Sequence, residues 1–262
     1  MLKEKHEAGD RMQTMELVSI RSGKSSITAY CLDTKERKVW QGIHYKDFIV
    51  QGEIFEIQPE KEWVFGNTSF VKGKIVSQRI DIPALELEPL PVHRYHSNSK
   101  EYEMEQVIPG SDDDCEIDPI IESVEYKQAG LYDQAWEILL KTVKEDLRCI
   151  DGHVHMGNTT FGDGLHDYIT KIALKHYTVG VELGNYFLGD NFSGKLPWGY
   201  IDNRPYLRAL HGQCLCYWAL NRFEEAEKIA TTLLKLNKFD NQGVRFILPD
   251  IKKKLPYKDF KE

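Results

Sequence analysis

Two pairs of closely spaced histidines and cysteines are the residues that could do metal chemistry. Asp151-Gly-His153-Val-His155 places two imidazoles two residues apart, and Cys214-x-Cys216 does the same with thiols. A His-x-His pair binds zinc when it lies on a barrel strand and later strands supply further ligands. Both pairs lie in sequence of helical periodicity, where positions two apart point about 200° apart. We therefore predict no metal site, and we interpret these cysteines as packing residues.

The chain also contains two dense clusters of polar side chains. The sequence has no lysine-containing, glycine-rich phosphate loop and no Gly-x-Ser-x-Gly elbow. Either polar cluster could bind a ligand, but such residues at helix starts commonly cap the helix or join neighbouring elements. We predict no cofactor and favour a non-enzymatic protein. The candidate polar residues are Asp202, Asn203, Arg204, Asp240, Asn241, Gln242 and Arg245.

Lysines alternate with aromatic residues in one N-terminal segment. Small β-barrels that bind nucleic acid use aromatic rings between basic side chains. Half of an alternating strand faces the core, however, so we expect these rings to be buried. Residues 1–82 carry 13 basic and 12 acidic side chains, a balance that attracts phosphates weakly. The residues concerned are Lys61, Trp63, Phe65, Phe70, Lys72 and Lys74.

Residues 196–246 predict two antiparallel helices joined by a short turn. Leu207, Leu210, Cys214 and Tyr217 recur three or four residues apart, which indicates one apolar stripe. A second stripe runs from Ala226 to Leu234 with the same spacing. Since the turn at Asn221 is so short, the two helices must lie antiparallel.

The amino-acid sequence of this turn resembles the turn sequence of tetratricopeptide (TPR) repeats. Residues 219–226 match the Gly-x-Tyr/Phe-x-x-Ala signature, with Asn221 in place of glycine, and residues 128–136 contain a second copy around Gly130. The copies are 91 residues apart, so a longer unit separates them, with helices expected at 153–161 and 166–188. The resemblance implies a helical array that binds a protein or peptide. It places the binding face of the helix before Asn221 at Arg208, His211, Leu215 and Trp218.

Two further segments complete the predicted helical array. Residues 240–248 indicate a final capping helix that ends at Pro249, because an open stack must protect its last apolar surface. The charged residues 252–262 are expected to fray. The predicted TPR-like domain therefore covers residues 119–256.

The N-terminal region has a different pattern. Short β-branched and aromatic runs within residues 13–82 indicate five or six strands, with hairpin turns at Ser22-Gly23 and Gly66-Asn67. Residues 83–118 carry two basic and ten acidic side chains, which is typical of a solvated linker. The predicted fold class is α+β, with a small N-terminal antiparallel β-barrel or sheet module followed by a TPR-like α-helical array.

Two longer sequence segments resemble segments of a group of bacterial cytoplasmic proteins with no assigned activity. In these proteins a β module precedes TPR-like repeats. Residues 197–205 (Pro-Trp-Gly-x-Ile-Asp-Asn-Arg-Pro) and 236–243 carry this resemblance. The polar N-terminus and the absence of a run of about 18 apolar residues predict neither a signal peptide nor a membrane span. Five cysteines without regular spacing fit a cytoplasmic protein.

The predicted function is protein or peptide binding, or scaffolding, by the helical array. Self-association is a further open role, and the partner is unidentified. The weak basic charge argues against nucleic acid, so an adaptor that binds nucleic acid through the β module is the alternative function. A metal-dependent hydrolase is the last alternative.

Overall fold

The chain folds into two compact units. A computed structural model describes residues 14–22, 25–42, 48–95, 100–111, 118–162, 164 and 166–257. The first unit comprises the described residues up to 49 together with 54–79, and the second comprises 50–53 and those from 80 onward. The first unit is a β-barrel and the second is mostly helical, which confirms the α+β prediction.

The first unit is a closed barrel of five strands in the order β1-β2-β3-β5-β4, in which β4 also pairs with β1. All pairs are antiparallel except β3 and β5, which are parallel. The parallel pair arises because β5 follows β4 in a long hairpin and fills the gap beside β3. The strands are β1 (Met15–Ser22), β2 (Ser26–Cys31), β3 (Arg37–Gln41), β4 (Ile54–Phe65) and β5 (Thr68–Arg79).

Alternate strand residues fill the barrel interior. Trp40 and Phe55 meet edge to face with ring centroids 6.1 Å apart, and the Trp40 indole donates a hydrogen bond to the Gly73 carbonyl. A Cβ at Gly73 would lie 2.4 Å from the Gln58 carbonyl oxygen, so only glycine allows this close approach. The barrel core consists of Leu17, Ile27, Ala29, Cys31, Trp40, Ile49, Phe55, Ile57 and Val71.

The second unit stacks three helical pairs and a final helix. α1 pairs with α2, α3 with α4, and α5 with α6, while α1 also contacts α3 and α3 contacts α5. α2 also contacts α3, and α4 contacts α5, so the pairs stack in chain order. The helices are α1 (Pro119–Gln128), α2 (Tyr132–Glu145), α3 (Ile150–Phe161), α4 (Asp167–Leu188), α5 (Arg204–Ala219), α6 (Phe223–Leu236) and α7 (Val244–Lys252).

The predicted turns have equivalent geometry. Gly130 and Asn221 both have positive φ values, +76° and +57°. After each of them, the next amide bonds the carbonyl five residues earlier, Leu131 to Tyr126 and Arg222 to Tyr217. This is the hydrogen bonding of a left-handed helix end, which glycine and asparagine tolerate best. The two copies are therefore true structural repeats, and the long unit between them is itself a helical pair.

Glycines let the helices of the central pair approach closely. The Tyr177 ring of α4 lies against α3 and α5, where a Cβ at Gly157 or Gly212 would come within 2.7 or 2.3 Å of it. The Tyr177 hydroxyl donates to the Asn158 side chain at 2.7 Å. One aromatic ring thus fixes the spacing of three helices.

The final helix differs from its prediction. α7 begins at Val244, where the Asp240 carboxylate accepts hydrogen bonds from the Val244 and Arg245 amides. It then continues through Pro249 to Lys252. Pro249 lacks one amide donor but is exposed, and the Lys253 amide still bonds its carbonyl. Proline therefore does not end this helix, contrary to the prediction.

Residues 80–111 contain short elements of the second unit. A 3-10 helix (Pro83–Leu85) precedes a hairpin of β6 (Val92–Arg94) and β7 (Tyr102–Met104). Leu90 and Met104 are buried. The division at 13–82, 83–118 and 119–256 stays a prediction. In the described part of the chain, no helix has the length and apolar character that a membrane crossing requires.

Candidate functional site

The two histidines of the His-x-His pair lie on a helix and have different surroundings, as their spacing predicts. His153 is completely buried and its Nε2 donates to the Leu147 carbonyl at 3.0 Å, while burial lowers its pKa to about 4. His155 is partly exposed, and its Nε2 lies 3.8 Å from the Asp151 carboxylate. Among the described residues, no group of three or more His, Cys, Asp or Glu side chains could hold a metal ion.

The cysteines on the helices are packing residues. Cys149, Cys214 and Cys216 are completely buried. Burial raises the pKa of Cys149 and of Cys214 to about 12, so these thiols stay protonated at neutral pH and are poor nucleophiles. The Cys214 thiol donates to the Ala226 carbonyl at 3.4 Å, where α5 and α6 approach each other.

The first polar cluster bonds within the chain. Asn203 is completely buried; its amide nitrogen donates to the carbonyls of Tyr102 (2.9 Å) and Pro197 (3.1 Å), and its oxygen accepts from the Met104 amide (3.0 Å). The carbonyl oxygen of Asp202 accepts from Gln106, and burial raises the pKa of the Asp202 carboxyl. Asn203 thus joins β7 to the start of α5.

The second polar cluster also bonds within the chain. Asp240 caps α7, and Gln242 donates to the Leu207 carbonyl at 3.2 Å. The Arg245 guanidinium donates to the Lys238 carbonyl, and Asn241 accepts a hydrogen bond from Asn237. These side chains hold the turn between α6 and α7 against α5.

The predicted binding stripe on α5 is partly covered by the chain itself. His211 and Leu215 are partly buried, and burial lowers the His211 pKa to about 4. Trp218 is completely buried: its indole donates to the Leu255 carbonyl at 2.8 Å, and its ring meets the edge of Tyr257. Residues 255–257 therefore pack on the helices, contrary to the expected fraying; residues 258–262 lie outside the described residues.

Arg208 lies at the other end of this stripe. It contacts a group of side chains whose proximity the sequence analysis did not predict. Its guanidinium lies 3.3 Å from the Asp151 carboxylate and 5.7 Å from the centre of the Trp198 ring. Arg204 lies over the same ring at 5.4 Å and donates to the Trp198 carbonyl. We call Asp151, His155, Trp198, Arg204 and Arg208 the Trp198 patch.

The Trp198 patch could hold a carboxylate. Two guanidinium groups face one indole, and the Asp151 carboxylate balances only one of them. Burial lowers the pKa of His155, so its imidazole is neutral at physiological pH. Guanidinium groups bind carboxylates through paired hydrogen bonds. The sequence feature that could have indicated this patch is the segment at residues 197–205, because it contains both Trp198 and Arg204.

The aromatic residues predicted to fill the barrel core lie outside it instead. The rings of Trp63 and Phe70 stack with centroids 5.3 Å apart and an angle of 8° between their planes. Phe65 is 78% exposed, and the Lys61 amine lies 5.6 Å from the Trp63 ring centre. The prediction of burial was wrong here because the β4–β5 hairpin presents these rings on its outer side.

Comparison with solved structures finds TPR domains among the matches. No protein-family model matches the chain, and no curated protein matches it. An NMR structure of the first TPR domain of human RPAP3 is 19% identical with a TM-score of 0.39. The first TPR of Spaghetti (RPAP3), bound to the HSP90 peptide SRMEEVD, is 20% identical with a TM-score of 0.35. Each match covers 52% of this chain and 88% of the other.

Proposed function

We propose that this protein is a non-enzymatic scaffold whose helical array binds a protein or peptide through the Trp198 patch. The observation that carries the proposal is the position of Arg208. Its side chain is 38% exposed, although Asp151 and Trp198 hold it on both sides. Arginine and tryptophan are the residues that most often dominate binding energy, and a side chain held in place loses less entropy on binding.

The charges of the patch favour an acidic peptide. Arg204 and Arg208 contribute two positive charges and Asp151 one negative charge, while His155 is neutral. A peptide carboxylate would pair with the guanidinium that Asp151 leaves unbalanced, and its neighbouring side chain would pack on the Trp198 ring. We place this activity in the cytoplasm, since the four described cysteines are free thiols, as reducing conditions favour.

Peptide selection against the full chain tests this function. Peptides are selected from a random library, and the affinity of the strongest binder is measured by titration calorimetry. Arg208→Ala should weaken binding at least about fivefold, the loss of one well-placed arginine contact. Arg222→Ala is the matched control, because Arg222 also stacks on a ring (Tyr217, 4.5 Å) and pairs with a carboxylate (Glu225, 2.7 Å).

The control separates binding from stability. Both variants lose a stacked, ion-paired arginine, so circular dichroism should show both folded. Equal affinity of Arg208→Ala and the unaltered protein would exclude the Trp198 patch as the binding surface. Failure to select any peptide would remove support for the peptide-binding function itself.

A further inference from the structure

The outer surface of the barrel carries a continuous row of apolar and aromatic side chains. Strand register places Thr28 beside Val39, Val39 beside Phe70, and Phe70 beside Trp63, across four neighbouring strands. Their sequence neighbours Ile27, Ala29, Trp40 and Val71 lie in the core. Since side chains alternate between the two faces of a strand, the row faces outward.

Basic and aromatic groups flank this row on both sides. On one side, Gln41 pairs with Lys72 and Lys72 with Lys61. On the other side, Tyr30 pairs with Arg37, and Phe65 pairs with Thr68. We call these outward residues the aromatic–basic face: Tyr30, Arg37, Lys61, Trp63, Phe65, Phe70 and Lys72.

A β-bulge explains why the rings face outward. Phe55 and Ile57 of β4 point into the core, and simple alternation would also send residues 61, 63 and 65 inward. The register shifts between Pro59 and Lys61, so that Lys61 pairs with Lys72 and Trp63 with Phe70. The extra residue reverses the alternation, as bulges do when they redirect side chains. Trp63 and Phe65 are consequently presented at the surface.

Four aromatic side chains on this face are partly or largely exposed and form an aromatic platform. Trp63 and Phe70 are nearly parallel at 5.3 Å, Phe65 is 78% exposed and Tyr30 is 44% exposed. The platform contains four aromatic residues: Tyr30 of β2, Trp63 and Phe65 of β4, and Phe70 of β5, with β3 lying between β2 and β5. Apolar groups concentrated at a surface usually mark a binding site. Flat rings of this kind offer stacking partners for nucleotide bases, every one of which has a π-face.

The charges around the platform are complementary to phosphate. Arg37, Lys61 and Lys72 are basic and exposed, and no carboxylate among the described residues forms an ion pair with them. Glu62 points to the opposite side of the hairpin, where its carboxylate pairs with Lys38 at 2.8 Å. Glu60, at the bulge, is the exposed carboxylate next to Lys61. Glu36, which is exposed next to Arg37, lies 3.9 Å from the Lys38 amine. Three cations with two exposed carboxylates beside them give moderate rather than strong phosphate binding.

We propose that the aromatic–basic face is a binding site for single-stranded nucleic acid. Unpaired bases would stack on Phe65 and on the outer surface of the Trp63–Phe70 pair, and phosphates would contact Arg37, Lys61 and Lys72. A duplex cannot offer its base faces to these rings, so the site selects single strands. This site is separate from the Trp198 patch and does not depend on peptide binding there.

Fluorescence anisotropy with the full chain tests this site. The probes are fluorescein-labelled oligo(U), oligo(dT) and a duplex, each about 15 nucleotides long, which spans a typical single-strand site. At about 50 mM salt the single-stranded probes should bind at least about tenfold more tightly than the duplex. Three neutralised phosphates predict a slope of about −2 for log K against log salt with single strands. Binding of oligo(U) alone would identify RNA as the ligand; binding of both would identify single strands in general.

Two variants and one control assign the binding to this face. Trp63→Ala should weaken binding about five- to 100-fold, the effect of losing one stacked base. Lys72→Glu leaves the ring pair intact but should weaken binding at low salt and make the salt slope shallower by about 0.7. Val64→Ala is the control, because Val64 is 69% exposed on the opposite side of the same strand, and its affinity should be unchanged.

Three results would overturn the site. The first is no anisotropy change with either single-stranded probe at concentrations up to roughly 100 µM, the weak limit of nonspecific binding. The second is binding that Trp63→Ala and Lys72→Glu alter no more than Val64→Ala does. The third is loss of peptide or protein binding in Trp63→Ala while neither single strand binds, which would make this face a protein-docking surface.

Discussion

The barrel and the helical unit place their aromatic and polar side chains in opposite ways. In the helical unit, the polar residues that sequence reasoning selected as ligand candidates bond to the chain itself, as Asn203, Asp240 and Gln242 do. On the barrel, rings expected in the core lie at the surface beside Lys61 and Lys72, with which no carboxylate of the described residues forms an ion pair. The dense polar clusters at helix starts therefore serve internal bonding, whereas the alternating lysine and aromatic residues of the bulged strand lie at the surface, where we propose a binding face.

Two tryptophans show this contrast most directly. Trp218 belongs to the helical unit, is completely buried, and uses its indole nitrogen to hold residue 255. Trp63 belongs to the barrel and stacks on Phe70 at the outer surface. The same residue type thus contributes to stability in one unit and is available for binding in the other.

The largest expected effect separates these two tryptophans. Trp218→Ala should lower the free energy of unfolding of the helical unit by about 3–5 kcal/mol, because it leaves a large cavity and unpairs the Leu255 carbonyl. Trp63→Ala is the matched control and should leave the helical transition unchanged. Urea unfolding followed by circular dichroism at the helical band measures both. Similar losses in the two variants would break the contrast between the units.

The local features of the fold could be predicted from the sequence. The turns at Gly130 and Asn221 follow from neighbouring residues, because positive φ, helix periodicity and the apolar stripes are all local properties. The two strands before and after Gly66-Asn67 also follow from neighbouring residues, because the turn and the strand pattern are local properties of the sequence. The prediction of a TPR-like helical array after a β module is accordingly confirmed.

The candidate sites depend on contacts that no local pattern contains. Arg208 and Asp151 are 57 residues apart, and α3 and α5 must pack before they meet. The burial of Trp218 depends on residues 255–257, whose charged surroundings predicted a frayed tail. The direction of Trp63 depends on one bulge, and a one-residue shift reverses every following side chain.

The next effect concerns close packing in the helical unit. Gly212→Ala should destabilise the protein by about 1–3 kcal/mol, because the new methyl group would overlap the Tyr177 ring and force α4 and α5 apart. Gly199→Ala is the control, since no atom lies within 4 Å of a Cβ there. Thermal unfolding measures the difference. Equal melting temperatures of Gly212→Ala and Gly199→Ala would show that the Tyr177 ring can move aside without loss of stability. The helical unit would then be packed less tightly than its buried side chains indicate.

The smallest effect follows from a buried histidine of the helical unit. His176 is completely buried on α4 against the Trp136 ring, and among the described residues neither of its ring nitrogens has a hydrogen-bond partner. Burial, followed by the charges of His153 and Lys175, lowers its pKa to about 3. The folded state therefore keeps this imidazole neutral, and protonation favours the unfolded state, where the pKa is the ordinary 6.5.

Stability from this group is complete above pH 6.5 and is lost as the pH falls from 6.5 towards 3. At pH 5.5 the loss should be about 1 kcal/mol relative to pH 8, on top of similar losses from His153 and His211. His176→Phe keeps an aromatic ring beside Trp136 but removes the titrating group, so the variant should lose about 1 kcal/mol less than the unaltered protein between pH 8 and 5.5. Urea unfolding of the helical signal at both pH values measures this difference. An unchanged pH dependence would mean that His176 binds a proton equally well in the folded and the unfolded protein, through solvent or a rearranged contact. The helical unit would then leave this polar side chain accessible, as the barrel leaves its lysines.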